Sequence, residues 1–278
     1  MKINFWKMHG ARNDFVLFDN RCGDFPVDDR TFIAHIAARH SGIGAEGVIL
    51  IEPSDTADFR MTFFNPDGGT AEMCGNGARC AARLACELGV TGKTMAIETA
   101  AGIIRAEVMQ QSVRLWMTPP SGWKLDGSLD AEGRTLTYGF VNTGVPHVVM
   151  RTGNVQDVDV VEVGSVVRRH RDFAPEGTNV NFMQIQPEGD ITVRTYERGV
   201  EAETLACGTG VTACALVAAK NGWAKLPVLV HTRSGDMLTV DGELTADSVN
   251  NVTLTGPTEH VFKGEVEYNN MECGDNVQ

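Results

Sequence analysis

Runs of apolar residues and the loops between them divide the chain into segments with strand or helix character. The same order of segments occurs twice: an apolar strand-like run, a polar loop, a helix of small and apolar residues, and a second strand. A glycine at the end of each helix is typical of a left-handed C-cap. The strands are predicted at 60–64, 94–99, 191–196 and 227–232, and the helix-ending glycines are Gly89 and Gly222.

The two helical segments are related in sequence. Residues 74–85 read CGNGARCAARLA and residues 207–218 read CGTGVTACALVA, so that Cys74 and Cys207 stand 133 positions apart. The same offset keeps the register beyond the helix, since it aligns Thr99 with Thr232. A repeat that continues past one element indicates a duplicated structural unit.

The repeat predicts an α/β fold of two pseudo-symmetric domains, each a β-sheet or barrel wrapped around a central helix. Alanine-rich helices suit such close burial. Residues 118–128 (TPPSGWKLDGS) are rich in Pro, Gly and Ser and are interpreted as the join between the halves. The N-terminal half then covers 1–118 and carries Cys74, with 263–278 returning to it, and the C-terminal half covers 119–262 and carries Cys207.

Composition narrows the class of protein. The chain has 278 residues, a net charge of −12 and seven cysteines without a CxxC pair. The acidic balance argues against a nucleic-acid partner, and the cysteine pattern favours free thiols rather than a zinc site. No apolar stretch approaches the ~18 residues of a membrane span, and no signal peptide is evident. These features predict a cytoplasmic protein without a membrane or metal partner.

The Cys-Gly-x-Gly turns carry the candidate chemistry. A cysteine at a helix N-terminus is stabilised as thiolate by the helix dipole, and the following glycines let free backbone N–H groups bind a carboxylate. Two such sites suit the inversion of a stereocentre, where one thiol removes a proton and the other returns one on the opposite face. The two sulfur atoms would then lie about 7 Å apart. Cys80, Cys86 and Cys214 lie inside the helices and are predicted to pack in the cores.

At these motifs the chain resembles the diaminopimelate epimerases, within the larger superfamily that includes proline racemases. The matching segments are 8–15 (MHGARNDF), 42–47 (GIGAEG), 64–68 (FNPDG), 73–77 (MCGNG), 146–147 (PH), 179 (N), 196–199 (YERG) and 206–210 (ACGTG).

The resemblance implies an active site in the cleft between the halves, an amino-acid substrate, no cofactor and a homodimer. Cys74 and Cys207 would be the acid/base pair, and His147 and Glu197 would set the balance between thiol and thiolate. Val145 stands where the family often has an asparagine that contacts the distal end of the substrate. The implied substrate-binding residues are Asn13, Asn65, Gly75, Asn76, Asn179, Glu197, Arg198, Gly208 and Thr209.

The expected reaction is epimerisation of LL-diaminopimelate to the meso form, for lysine and peptidoglycan precursor synthesis. Racemisation of proline or hydroxyproline is the alternative. Asn76 argues against it, because this chain reads CGNG where proline racemases have a motif that resembles CGHG. A non-catalytic amino-acid-binding protein, or an isomerase like PhzF, is disfavoured because both thiols are present. The GxGxxG match at 42–47 is not a dinucleotide site, because a helix-like stretch (31–40) precedes it and a strand (48–51) follows it.

Overall fold

The computed structural model describes residues 1–131 and 133–268 and has an α/β architecture dominated by strands. The first elements are β1 (Lys2–Gly10), β2 (Asn13–Asp19), α1 (Arg30–Ala37), β3 (Val48–Glu52), β4 (Phe59–Phe64), β5 (Thr70–Ala71), α2 (Gly75–Glu87), β6 (Thr94–Thr99) and β7 (Gly102–Val108). They are followed by β8 (Ser112–Trp116), β9 (Ser121–Ala131), β10 (Arg134–Asn142), β11 (Pro146–Arg151), α3 (Val160–Arg168), β12 (Asn179–Ile185), β13 (Ile191–Glu197), β14 (Ala202–Thr204), α4 (Gly208–Lys220), β15 (Val228–His231), β16 (Met237–Leu244), β17 (Val249–Pro257) and β18 (Glu259–Glu267). Short 3-10 turns span Val155–Asp157 and Arg171–Phe173.

The contacts between Cα atoms divide the chain into two compact units. Among the described residues, the first unit comprises Met1–His9, Asp14–Ile103 and 259–268, and the second comprises Gly10–Asn13 and Ile104–Thr258. The predicted halves assign 10–13, 104–118 and 259–262 differently. In the structure β8 pairs with β17, and β18 pairs with β1, so these hydrogen bonds place each strand in its unit. Residues 263–278 are predicted to return to the N-terminal half, and the part of this segment after Tyr268 lies outside the described residues.

In the first unit, α2 packs against a sheet of mixed strand pairs and contacts β3. β2 runs parallel to β3, β3 is antiparallel to β4, and β4 runs parallel to β6. The helix is buried along most of its length, including Ala78, Cys80, Ala81, Ala82 and Ala85. Small side chains allow close packing because they let the helix backbone approach the strands, as at Gly77, which lies beside Ile49 and Phe15.

In the second unit, strands contact α4 on several sides. β9 to β13 pair in chain order, and β13 also pairs with β15, which continues through β16 and β17 to β8. The helix contacts β10 to β13 and β15 to β17. Every residue from Gly210 to Ala219 is buried, so this helix forms the centre of the unit's core.

The helix and strand predictions agree closely with the structure. The α/β prediction with one buried helix in each repeat is confirmed, and the glycines after α2 and α4 adopt left-handed φ angles of +67° at Gly89 and +71° at Gly222. Residues 118–128, predicted as the join between the halves, lie mostly in β9. The Pro, Gly and Ser content suggested a break there, but the segment pairs with the next strand, β10, in an antiparallel hairpin.

Candidate active site

Cys74 lies immediately before α2, as its N-cap residue. Its backbone is extended (φ −133°, ψ 121°), its side chain makes no capping hydrogen bond, and its carbonyl accepts the Ala78 N–H at 2.8 Å. The backbone of Cys74 therefore begins the helix, and its side chain takes no part in the cap. Gly75 and Asn76 supply the first helical N–H groups, which the helix geometry directs toward an anion.

A buried cation supports this turn. Arg79 is fully buried, and its Nη2 donates a 2.8 Å hydrogen bond to Oδ1 of Asn76, which is itself 4% exposed. The guanidinium therefore fixes the Asn76 side chain and adds positive charge to the start of α2. Burial raises the pKa of Cys80 to about 12, so that this second thiol stays neutral, consistent with its predicted packing role.

Two of the predicted substrate-binding residues lie in loops or at strand ends. Asn65 directly follows β4, and its backbone N–H and C=O close a turn with Gly69 and Gly68. Its side chain is exposed, so the turn presents an accessible amide. Asn13 begins β2, after two residues with left-handed backbones, Ala11 (φ 54°) and Arg12 (φ 62°).

Cys207 occupies the matching position before α4. It has an extended backbone (φ −114°, ψ 108°), makes no side-chain cap and is 8% exposed. Its Sγ lies 3.5 Å from Oγ1 of Thr209. Thr143 Oγ1 donates a 3.0 Å hydrogen bond to the Thr209 carbonyl, which fixes the turn that contains Gly208. Burial raises the pKa of Cys214 well above its ordinary value, which keeps this core thiol neutral.

His147 is fully buried on β11, opposite Asn179 in the parallel pair of β11 and β12. Burial and the positive charge of Arg198 lower the pKa of His147 to about 3, so the imidazole is neutral in the folded protein. Its Nδ1 lies 3.1 Å from Nδ2 of Asn181. The imidazole can therefore modulate a thiol only as a neutral group.

Asn179 connects the strand that carries His147 to the turn that carries Arg198. Its Nδ2 donates to the Pro146 carbonyl at 3.1 Å, and its Oδ1 accepts the Arg198 N–H at 2.8 Å. Glu197 Oε2 accepts a 2.8 Å hydrogen bond from Thr204 Oγ1. These contacts bring His147, Asn179, Glu197 and Arg198 together at the adjoining ends of β11, β12 and β13.

The first turn of α4 packs against Asn181, which contacts His147. A Cβ atom placed on Gly210 would lie 2.3 Å from Asn181 Oδ1 and 3.4 Å from Cys207 Sγ. Only glycine allows the helix to approach the Asn181 amide this closely. At the equivalent position of α2, a Cβ on Gly77 would instead meet the apolar side chain of Ile49 at 2.8 Å.

Sequence reasoning missed four residues of the two turns: Arg79, Thr143, Asn181 and Thr204. One signal could have identified Asn181, because strand alternation places it on the same face of β12 as Asn179. The contacts of the other three, Arg79 with Asn76, Thr143 with Thr209 and Thr204 with Glu197, are buried or partly buried, and sequence spacing does not predict that burial.

Within residues 1–131 and 133–268, no three His, Cys, Asp or Glu side chains form a group that could hold a metal ion. The helices of the same residues are all too short or too polar to cross a bilayer.

Structural comparison defines the class of fold. A PhzF-family phenazine biosynthesis protein from Bacillus anthracis superposes with a TM-score of 0.72 at 16% identity, covering 96% of this chain and 100% of that one. A hydroxyproline epimerase from Agrobacterium vitis superposes with a TM-score of 0.69 at 19% identity, covering 95% and 92%. The protein thus has the fold shared by PhzF-type proteins and amino-acid epimerases.

Sequence comparison identifies the family. The family model for diaminopimelate epimerase matches residues 5–123 and 139–261. Diaminopimelate epimerase from Aquifex aeolicus is 45% identical, covering 97% of this chain and all of that protein, and its counterpart from Archaeoglobus fulgidus is 39% identical, covering 98% and 99%. The chain belongs to the diaminopimelate epimerase family and is an isomerase.

Proposed function

We propose that this protein converts LL-diaminopimelate to meso-diaminopimelate with the thiols of Cys74 and Cys207 and without a cofactor. One observation carries the proposal: in a chain of this family, both cysteines are the N-cap residues of equivalent buried helices, α2 and α4. The product is a precursor of lysine and of peptidoglycan.

The proposed reaction is a proton transfer through two thiols. One cysteine acts as thiolate, removes the α-proton and becomes a thiol. The other cysteine donates its proton to the opposite face of the carbanion and becomes a thiolate. One C–H bond breaks and one forms, with no change of oxidation state. Because a productive enzyme needs one thiol and one thiolate, the titrations of the two cysteines are coupled.

The reacting carboxylate is proposed to bind the backbone N–H groups at the two helix starts. Gly75 and Asn76 supply them from α2, and Gly208 and Thr209 supply them from α4. Helix N-termini favour anions through unpaired N–H groups and the helix dipole. A carboxylate held there would also stabilise negative charge that develops on the α-carbon.

The other groups of the substrate are assigned to polar side chains. Arg198 offers a planar fork for the distal carboxylate, and the Glu197 carboxylate is an acceptor for an ammonium group. Glu197 and His147 are also proposed to set the thiol balance. Asparagine side chains both donate and accept hydrogen bonds, as a zwitterion requires, and this role is assigned to Asn13, Asn65 and Asn179.

Deuterium exchange tests the proposal directly. With LL-diaminopimelate in D2O, the wild type is expected to form the meso isomer with solvent deuterium at the inverted α-carbon. Cys74→Ser and Cys207→Ser should each lose about 10²-fold or more in rate. Cys22→Ser is the matched control, since the Cys22 thiol is exposed and belongs to neither turn. Undiminished epimerisation by both serine variants would contradict the two-thiol mechanism.

The same assay separates the alternatives. L-proline and trans-4-hydroxy-L-proline are tested at the same concentration as diaminopimelate. Inversion of either, with none of diaminopimelate, would replace the proposed substrate. Binding of diaminopimelate without exchange of its α-proton would indicate an amino-acid-binding protein instead.

We also propose a cytoplasmic homodimer. Both thiols must stay reduced, which is the state that a cytoplasm maintains. On β18, Val261 (54% exposed) and Phe262 (49% exposed) present apolar surface that a second copy could cover. Sedimentation of the wild type should give a dimer, and Val261→Lys should weaken it. A wild type that is monomeric throughout the micromolar range would contradict the dimer.

A further inference from the structure

Asn181 connects the buried imidazole of His147 to the helix that begins after Cys207. The residue is fully buried in the middle of β12. Its side chain makes three polar contacts: Nδ2 with Val148 O at 2.8 Å, Nδ2 with His147 Nδ1 at 3.1 Å, and Oδ1 with Thr195 Oγ1 at 2.9 Å. A buried amide with this many partners has a single orientation available to it.

The Val148 carbonyl decides that orientation. A carbonyl oxygen can only accept, so the Asn181 atom at 2.8 Å from it must be the NH2 group. The second N–H of that group faces Nδ1 of His147, which must then be an acceptor. Thr195 agrees with this arrangement, since its hydroxyl donates to Asn181 Oδ1.

A neutral imidazole that accepts at Nδ1 carries its proton on Nε2. In the part of the chain that the structure describes, Nε2 of His147 is buried and has no hydrogen-bond partner. A buried N–H donor without a partner is costly, and functional sites account for many of the exceptions.

We propose that Asn181 is a positioning residue that holds His147 as the neutral Nε2–H tautomer, so that His147 donates a hydrogen bond to an anionic group during the reaction. The acceptor is the thiolate or the substrate carboxylate, and this part rests on the proposed function. His147 is then a hydrogen-bond donor and not the proton-accepting base. The assignment of Asn181 to the tautomer is independent of the substrate.

Gly210 couples this arrangement to the reactive thiol. A side chain at Gly210 would meet Asn181 Oδ1 at 2.3 Å, so the second glycine of Cys-Gly-x-Gly is needed for the amide to keep its place. The start of α4 and the tautomer of His147 are therefore linked through one side chain.

The tautomer can be read by nitrogen NMR without any assay of activity. Protein labelled with 15N at its seven histidines is recorded over the neutral pH range, and His147→Gln assigns the resonance. The wild type is expected to show a protonated Nε2 and an unprotonated Nδ1. A protonated Nδ1 in the wild type would overturn the proposal, whether or not the protein epimerises diaminopimelate.

The Asn181→Asp variant tests whether Asn181 determines the His147 tautomer. A carboxylate cannot donate, so Nδ1 should become protonated, and kcat should fall about 10²-fold with a smaller change in KM. Asn20→Asp is the matched control, because Asn20 is also a buried amide (5% exposed) but bonds Glu52 and Phe25 away from both turns. It should lose stability and keep its kcat. An Asn181→Asp protein that folds with an unchanged tautomer would refute the positioning role.

Discussion

The hydroxyl oxygen of Thr209 lies 3.5 Å from the sulfur of Cys207, at the first turn of α4. When the cysteine is ionised, the hydroxyl can donate to it, and hydrogen bonds to charged groups are among the stronger ones in proteins. In the proposed mechanism, Thr209 thereby links backbone binding of the substrate carboxylate to the thiolate state of Cys207.

Thr209→Val is expected to slow alkylation of Cys207 by iodoacetamide about tenfold at neutral pH, because the thiolate loses a donor worth about 1.4 kcal/mol. The rate is measured in a Cys74→Ser background, with mass spectrometry to identify the modified thiol. Thr209→Ser keeps the hydroxyl and should retain the wild-type rate. Equal rates for the valine and serine variants would show that the hydroxyl has no effect on this thiol.

Arg79 is expected to support carboxylate binding through Asn76. Arg79→Met removes the 2.8 Å hydrogen bond to Asn76 Oδ1 and a fully buried charge, so we expect about 2 kcal/mol less unfolding free energy. KM should rise about tenfold, because a less rigid helix start holds the carboxylate less well. Urea denaturation and steady-state kinetics measure both effects.

Arg79→Lys should recover only part of the lost stability, because an ammonium lacks the planar fork. The control is Arg134→Met, since Arg134 is exposed on β10. A wild-type KM in the Arg79→Met protein would show that Arg79 does not contribute to substrate binding.

Arg194 and Glu203 form a bidentate ion pair between β13 and β14, with bonds of 2.7 Å and 2.8 Å. The pair is largely buried, with side-chain exposures of 12% and 19%, and it lies just before the strand end that carries Glu197. Arg194→Lys should lower the unfolding free energy by about 2 kcal/mol, as one of two charge-assisted bonds is lost.

Chemical denaturation measures the Arg194→Lys effect. Arg171→Lys is the control, because the Arg171 side chain is 89% exposed and its ion pair contributes little. An equal loss of unfolding free energy in the two variants would show that the buried, bidentate geometry of the Arg194–Glu203 pair does not add to stability.

The neutral state of His147 predicts a dependence of stability on pH. Burial and the charge of Arg198 lower the pKa of His147 from 6.5 to about 3. Between these values the unfolded chain binds a proton that the folded protein does not bind, so stability falls as the pH decreases through this window. His147→Gln should remove this part of the dependence.

The measurement is the urea midpoint of both proteins at several pH values between the two limits. His40→Gln serves as the control, since His40 is exposed and should leave the profile unchanged. A His147→Gln profile as steep as that of the wild type would contradict a neutral buried imidazole.

Local patterns in the sequence predicted the helices that begin after Cys74 and Cys207. The constant offset between Cys74 and Cys207, the glycines that follow, and the positive-φ residues Gly89 and Gly222 are all encoded over short distances. Helix caps and C-terminal glycines depend on the backbone of a few neighbouring residues, so the sequence alone defines both turns.

Tertiary structure decided what surrounds those turns. The burial of Arg79, the orientation of the Asn181 amide and the pairing of β8 with β17 depend on residues far apart in the chain. The sequence therefore predicted the two thiols and several neighbouring polar groups, but it did not indicate Arg79, Thr143, Asn181 or Thr204. It also predicted a join between the halves at 118–128, most of which lies in β9. Propensity and periodicity act over a few residues, whereas burial, a buried hydrogen bond and a strand partner exist only once distant segments have packed together.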